Sequence, residues 1–553
     1  MGINTVKNTA IEKKKDAAAL IRDHGLFWCL FLGMGIYYTW RMFSVPPWYD
    51  ELYTYENFID RGMIYSMIHW PLPNNHVFYS ALSAILNKLG NPYIGLRGVS
   101  FLASMGSLLL LYRILKKGIS TRMAAAGAAL FAAMYNVVQQ AAQGRGYALS
   151  GFFLLAAVNC LYEICIPEKS EEGKGKRRFW YYAGFAACLT GGLYTIPSNL
   201  YWVVPVCMAG GLYLLFTGEY KKLFRLVIAS AAAAIVTFGL YTIIWLAIGS
   251  NFLVKEEASA FYGMSHFQVL KTAPFAAFSR GMEAMLSDPN IQSIDRSRFN
   301  NEFTLYLGRV LNQVYPNGSH ILPVLILFGL LLMLALIIIS CRRKEKSMFF
   351  LSLYVFVLTV MVPVFLVIQC VFPYLRVFTY MGSVLSMMFV LMPYALWAIV
   401  KPAADRLAQR RSFSLPARFT AYGSLLAAAA AILLAVVYCR LPEYNAGYDS
   451  RDNHIYAALK QLDEKEVDTV LTGDVYARQN LYFHILRCRG KELVMDYEHP
   501  DYVLMDKIQT GPEGEELVWP YEMNTQNFPW EWIEGHMEVV FEDDAYIAYQ
   551  VVE

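Results

Sequence analysis

The sequence predicts a polytopic α-helical membrane protein of about 11 transmembrane helices, carrying a small C-terminal α/β domain. Three observations predict it. Of 553 residues, 56% are hydrophobic and only 16% are charged, where soluble globular chains carry about 25% charged residues. Uncharged apolar runs of about 20 residues, the length that crosses the hydrocarbon of a bilayer, recur through the first 440 positions. The charge is also divided: residues 441–553 hold 8 Lys and Arg against 24 Asp and Glu, a net of −16, leaving +19 on the rest. This composition excludes a water-soluble enzyme, a disordered chain, collagen and a disulfide scaffold. It also lacks the chain-wide basic face that would take nucleic acid as a partner.

Each crossing must be a helix, because lipid offers no partner for backbone N–H and C=O groups. Eleven spans are read, at 25–45, 91–112, 121–140, 147–166, 179–197, 200–217, 226–248, 320–341, 348–371, 375–399 and 419–439. Residues 65–90 are too broken by Pro71, Pro73, Asn74, Asn75 and His76 to be another. Lys and Arg collect at alternate connections: the N-terminus, 113–122, 168–178, 221–225, 342–346 and 401–418. Short basic connections face the cytoplasm. The chain therefore reads as a multi-pass plasma-membrane protein with its N-terminus cytoplasmic and its C-terminus extracytoplasmic. The basic first 24 residues lead into a span with no small-residue cleavage site, which reads as a retained helix rather than a signal peptide. Two outward loops are long, 46–90 and 249–319, and the stretch Phe261–Leu286 reads as a short helix on the membrane surface. Connections of that length are usually functional or disordered.

Residues 441–553 read as a soluble extracytoplasmic unit distinct from the transmembrane part, 1–440. A helix over 453–463 precedes a strand at 468–472, a helix over 475–487, short strands at 493–495 and 502–505, and a hairpin of 537–541 with 545–549. Gly473 and Gly490 form no phosphate-cradling loop. Of nine cysteines, seven fall in spans and read as small apolar packing residues. Cys439 and Cys488 are the pair that could meet outside, and no CxxC or zinc spacing exists.

Just past the first span runs Trp48-Tyr-Asp50-Glu51, two carboxylates at the membrane surface. Partial desolvation there strengthens a carboxylate as a base; alternatively Asp50 caps a helix over 51–60. Asn74-Asn75-His76-Val-Phe-Tyr79 follows, suited either to a pocket rim or to a hydrogen-bonded interfacial imidazole. Two histidines and two carboxylates in this loop could ligate a metal, but their spacing matches no specific zinc site. Arg97, Arg145 and Arg376 lie at the outer ends of spans, where the positive-inside pattern does not account for them. A guanidinium there either grips phosphate oxygens in a fork or snorkels and pairs with loop acids.

This arrangement resembles the C-type (GT-C) membrane glycosyltransferases, in particular the protein O-mannosyltransferase and lipid A aminoarabinose-transferase branch (glycosyltransferase family 39-like). The features that carry the resemblance are Trp48-Tyr-Asp50-Glu51, Asn74-Asn-His76-Val-Phe-Tyr79, the turn Arg145-Gly-Tyr147, and Pro373-Tyr-Leu-Arg376 with Tyr380 just beyond. His76-Val-Phe stands where the commoner form has His-Pro-Pro. The resemblance implies a helical bundle with its active site on the non-cytoplasmic face and a polyprenyl-phosphate-linked sugar as donor. Asp50 is then the implied base, Glu51 a second catalytic residue that orients Asp50 or the sugar, and Arg97, Arg145 and Arg376 the cations for the phosphate. Asn75, His76, Tyr147 and Tyr380 are expected to line the substrate site. Inverting single displacement onto the hydroxyl of a glycan, lipid or protein acceptor follows, because one base is positioned. Arginines can take the part of a cation, so no cofactor is called for, while a divalent metal stays open. The alternative is a transporter or glycolipid exporter, in which these charges would line a path; they sit instead at one face.

Overall fold

A computed structural model describes residues 24–69, 75–167, 175–246, 298–411, 417–447, 450–462, 467–473, 475–507 and 528–552. The first helix, α1, covers 24–44. Three short helices and a π turn form most of the first long loop and the approach to the next span: α2 (Tyr49–Thr54) with a π-helical turn at Tyr55–Ile59, α3 (Met63–Ile68) and α4 (Val77–Asn87). There follow α5 (Pro92–Gly118), α6 (Thr121–Ala132), α7 (Tyr135–Ala141), α8 (Tyr147–Cys165), α9 (Gly175–Thr195), α10 (Leu200–Phe216) and α11 (Tyr220–Leu246). The second half of the bundle is α12 (Phe299–Val314), α13 (Leu322–Arg343), α14 (Lys346–Gln369), α15 (Met381–Arg411) and α16 (Ala417–Tyr438). In the bundle α8 packs between α5 and α9, α6 against α16, and α14 between α10 and α13.

Among the described residues, seven helices are long and apolar enough to cross a membrane: those within Pro92–Gly118, Tyr147–Cys165, Pro197–Phe216, Tyr220–Tyr241, Leu322–Arg343, Lys346–Gln369 and Leu375–Pro402. The expected spans 25–45, 121–140, 179–197 and 419–439 fall on helices as well, yet these are not among the seven. The span read at 121–140 is broken. Met134 is extended (φ −75°, ψ 132°) between α6 and α7, and the carbonyls that the break would strand find tyrosine hydroxyls instead. Tyr315 donates to Leu130 O at 2.8 Å and Tyr444 to Ala133 O at 2.8 Å. The loop read at 249–319 ends in α12, whose sixteen residues pack on the bundle; Phe261–Leu286 and Pro71–Asn74 lie outside the described residues.

Beyond the short helix α17 (Pro442–Asn445), the tail is a five-stranded mixed sheet with helices. In chain order its elements are α18 (Ser450–Gln461), β1 (Thr469–Thr472), α19 (Val475–Leu481) with a π turn at Tyr482–Arg487, β2 (Val494–Met495), β3 (Tyr502–Asp506), α20 (Trp530–His536), β4 (Met537–Glu542) and β5 (Tyr546–Val551). The strand order is β2-β1-β3-β5-β4; β1 runs parallel to both neighbours, and β5 is antiparallel to β3 and β4. Alternation places Tyr502 and Leu504 on one face, in a core with α18 and α19, and Val503 and Met505 on the other, under Phe528 and Ile533. The first core also contains Leu52, Tyr55, Ile59 and Leu96, so the tail and the first loop are packed as one body. Cys439 and Cys488 are free thiols, and the disulfide open to them on the sequence is not formed.

Candidate active site

Asp50 and Glu51 adjoin in sequence but turn to different partners, since successive side chains on a helix point about 100° apart. Helix α2 starts at Tyr49, so Asp50 lies in its first turn and is not its N-cap; that place is Trp48's. Glu51 is 1% exposed and meets Arg97 in a two-point fork, Nε to Oε1 at 2.8 Å and Nη2 to Oε2 at 2.9 Å. Oε2 also accepts from the Trp48 amide at 2.9 Å, and Oε1 from the Gly144 amide. The other donors of Arg97 reach the carbonyls of Met42 (3.0 Å), Val45 (2.7 Å) and Pro46 (3.1 Å). All five guanidinium N–H groups are therefore engaged inside the protein. Arg97, expected among the phosphate cations, instead fastens α5 to the chain leaving α1.

Asp50 faces the other two arginines. Its Oδ2 is 2.9 Å from Arg376 Nη2 and 3.8 Å from Arg145 Nη2, and the carboxylate remains partly open, at 13%. Arg145 reaches Thr54 Oγ1 at 2.7 Å and the Asp50 carbonyl at 3.4 Å through Nη1. Arg376, in the 3-10 turn Leu375–Tyr380, donates Nε–H to the Tyr147 hydroxyl at 2.9 Å. The rings of Trp48 and Tyr374 lie 4.7 and 4.6 Å from its guanidinium carbon, a cation–π sandwich that holds the charge in place while excluding water. With Glu51 neutralised by Arg97, this cluster has one carboxylate against two guanidinium groups.

The amide and imidazole of the second motif are turned inward. Asn75 donates to Ser66 O and His69 O, both at 2.9 Å, and accepts from Ser80 Oγ at 2.8 Å. His76 Nδ1 accepts from the Gly146 amide at 2.8 Å, and its Nε2 lies 3.3 Å from Arg145 Nη2. Burial first, then the charges of Arg145 and Arg376, push its pKa well below the usual histidine value. His76 is thus a neutral brace for the Arg145 turn. The two glycines of Gly144-Arg-Gly146 are required by close approach: a Cβ on Gly146 would stand 2.6 Å from the Thr195 methyl and 3.2 Å from the His76 ring. Tyr147 lies edge-on to His76 at 5.0 Å between centroids. Tyr380 is deeper in the bundle, its hydroxyl bound to Tyr201 O at 3.1 Å, away from Asp50's immediate partners.

Several parts of the cluster carried no signal in the sequence reading. Thr54 and Tyr374 are ordinary residues in composition, although Tyr374 stands two places before Arg376 in the quoted motif. Arg41 falls within the first expected span; it is buried and donates to Gln139 at 2.8 Å. No group of three or more His, Cys, Asp or Glu side chains converges among the described residues.

No family model and no curated protein sequence matches the chain. Solved structures do. ArnT from Cupriavidus metallidurans bound to undecaprenyl phosphate aligns over 95% of this chain and 97% of its own, with TM-score 0.54 and 12% identity. The two chains share an overall fold. ArnT from the same organism in the apo state aligns over the same shares with TM-score 0.50 and 10% identity. The archaeal oligosaccharyltransferase AglB from Archaeoglobus fulgidus, in complex with an inhibitory peptide and a dolichol-phosphate, covers 88% of this chain and 70% of its own, at TM-score 0.46 and 12% identity. The likeness to ArnT spans the tail as well as the bundle, since nearly the whole of both chains is aligned.

Proposed function

We propose that this protein is an integral membrane glycosyltransferase that moves a sugar from a polyprenyl-phosphate-linked donor to an acceptor hydroxyl on the extracytoplasmic face. The observation that carries the reading is the Asp50 carboxylate, partly open and flanked by Arg145 and Arg376 at one end of a GT-C bundle. Undecaprenyl phosphate bound to the similarly folded ArnT supports the class of donor. In the reaction Asp50 takes the proton of the acceptor hydroxyl as its oxygen attacks the anomeric carbon. The bond from that carbon to the phosphate oxygen breaks, and its electron pair stays on the polyprenyl phosphate. Arg145 and Arg376 stabilise the charge that develops there. Among the described residues Asp50 is the one carboxylate facing Arg145 and Arg376, so the displacement is single and inverting. Basic ends such as Lys116-Lys117 and Arg342-Arg343 lie at the opposite ends of their helices from the site, which supports a cytoplasmic N-terminus and an outward-facing tail.

Purified Asp50→Asn protein, supplied with polyprenyl-phosphate sugar, is expected to lose transfer by about 10²-fold or more, with thermal unfolding unchanged within a few degrees. Full transfer by that variant would sink the base assignment.

A further inference from the structure

Among the described residues the Asp50 carboxylate is partnered by Arg145 and Arg376 of the bundle, yet the acidic tail covers the element that carries it. Helix α2 is six residues long and runs into a π turn. A helix that short does not hold its shape alone, so its geometry is set by what lies against it. On the bundle side these contacts are Glu51 with Arg97 and Thr54 with Arg145. On the other side they come from the tail. Leu52, Tyr55 and Ile59 share a core with Leu459, Leu481 and Phe483. The Tyr55 ring meets Phe483 edge-on at 4.9 Å and Tyr49 meets Tyr476 at 5.3 Å. Beyond the core, Asp60 accepts from the Tyr482 hydroxyl at 2.6 Å and pairs with Arg487, while Glu56 lies 3.9 Å from Arg478. The tail is acidic as a whole, but two of its eight cations stand where the loop presents carboxylates. Acidic residues in those places would repel the loop, so the arrangement sets register as well as contact.

We propose that the C-terminal domain is a clamp that fixes α2, and with it the Asp50 carboxylate, between Arg145 and Arg376. Tyr482, Phe483 and Arg487 are its positioning residues. For its effect on turnover this rests on the reading of Asp50 as the base; the clamp itself is measurable without turnover. In full-length protein purified in detergent, Phe483→Ala and Arg487→Ala raise amide hydrogen exchange across 49–60 by about tenfold, with exchange in α8 unchanged, and Arg487→Lys restores protection. Asp60→Asn, made on the loop side and so leaving the tail's own packing intact, gives the same rise. In transfer assays these variants lower kcat and leave the donor KM alone, whereas loss of a phosphate contact would raise KM. Unchanged exchange over 49–60 in Arg487→Ala and Asp60→Asn overturns the clamp. Raised exchange in a protein whose unsubstituted form transfers no sugar supports the clamp and overturns the glycosyltransferase reading.

Discussion

Arg97, Arg145 and Arg376 bear the same charge and differ in how much of it is already engaged. Arg97 has no donor left, and Glu51, expected to orient Asp50 or the sugar, is instead its structural counter-charge, buried with both oxygens bound. Glu51→Gln leaves a buried guanidinium without one and is expected to cost about 3–5 kcal/mol of stability, seen as a lowered unfolding midpoint. Arg145 and Arg376 instead face the Asp50 carboxylate. Replacing either with Ala is expected to remove about 1.5–3 kcal/mol of charge-assisted hydrogen bonding, which is a rise of roughly tenfold to a hundredfold in donor KM, measured with the donor varied at fixed acceptor. Equal donor affinity in both variants would take them out of the phosphate site. The sequence makes these residues visible because charges at the outer ends of spans stand out against apolar flanks. It cannot show that Arg97 pairs with Glu51 rather than Asp50, because that depends on the phase of a six-residue helix and on carbonyls at 42, 45 and 46.

At the level of elements, what the site needs is a tight turn between α7 and α8. Gly146→Ala is expected to cost about 1–3 kcal/mol through overpacking against Thr195 and His76, and to lower transfer as the Arg145 turn shifts. A circular-dichroism melt and a rate measurement on the same sample check both effects. The strands of the tail were readable within a residue or two, since runs such as Thr469-Val-Leu-Thr472 combine β-branched residues with flanking polar breaks. The break at Met134 was not, because Ala and Val on both sides keep the average hydropathy high through a turn that only tertiary tyrosines make tolerable. Helix α12 escaped for a different reason. It is amphipathic, with polar residues such as Asn300, Asn301 and Glu302 interleaved, and so it reads as loop to a search for uninterrupted apolar length.

Across the whole molecule, two buried histidines link stability to acidity. His484, where the tail meets Tyr93 of α5, is pushed down to about 3, by burial first and then by Arg489 and Arg97; His76 is lowered as well. Folded, both stay neutral near neutral pH, and unfolded each takes a proton below about pH 6.5. The unfolded chain therefore binds more protons in that window, and stability rises with pH through it: full above about pH 6.5, lost as the pH falls. His484 alone accounts for about 2 kcal/mol at pH 5. The unfolding midpoint should drop between pH 7 and pH 5, and His484→Leu should flatten that drop.

The bond between Asp60 and Tyr482 spans 422 positions, and this separation has a consequence for how the protein is made. At about 5–20 residues per second, the ribosome delivers the Asp50 segment roughly 20–80 s before the tail that covers it. A nascent chain halted near residue 440 has the helices of the bundle and still an uncovered Asp50 segment, so on the proposed function competence for transfer should appear late and abruptly in a synchronised synthesis, not in step with membrane insertion.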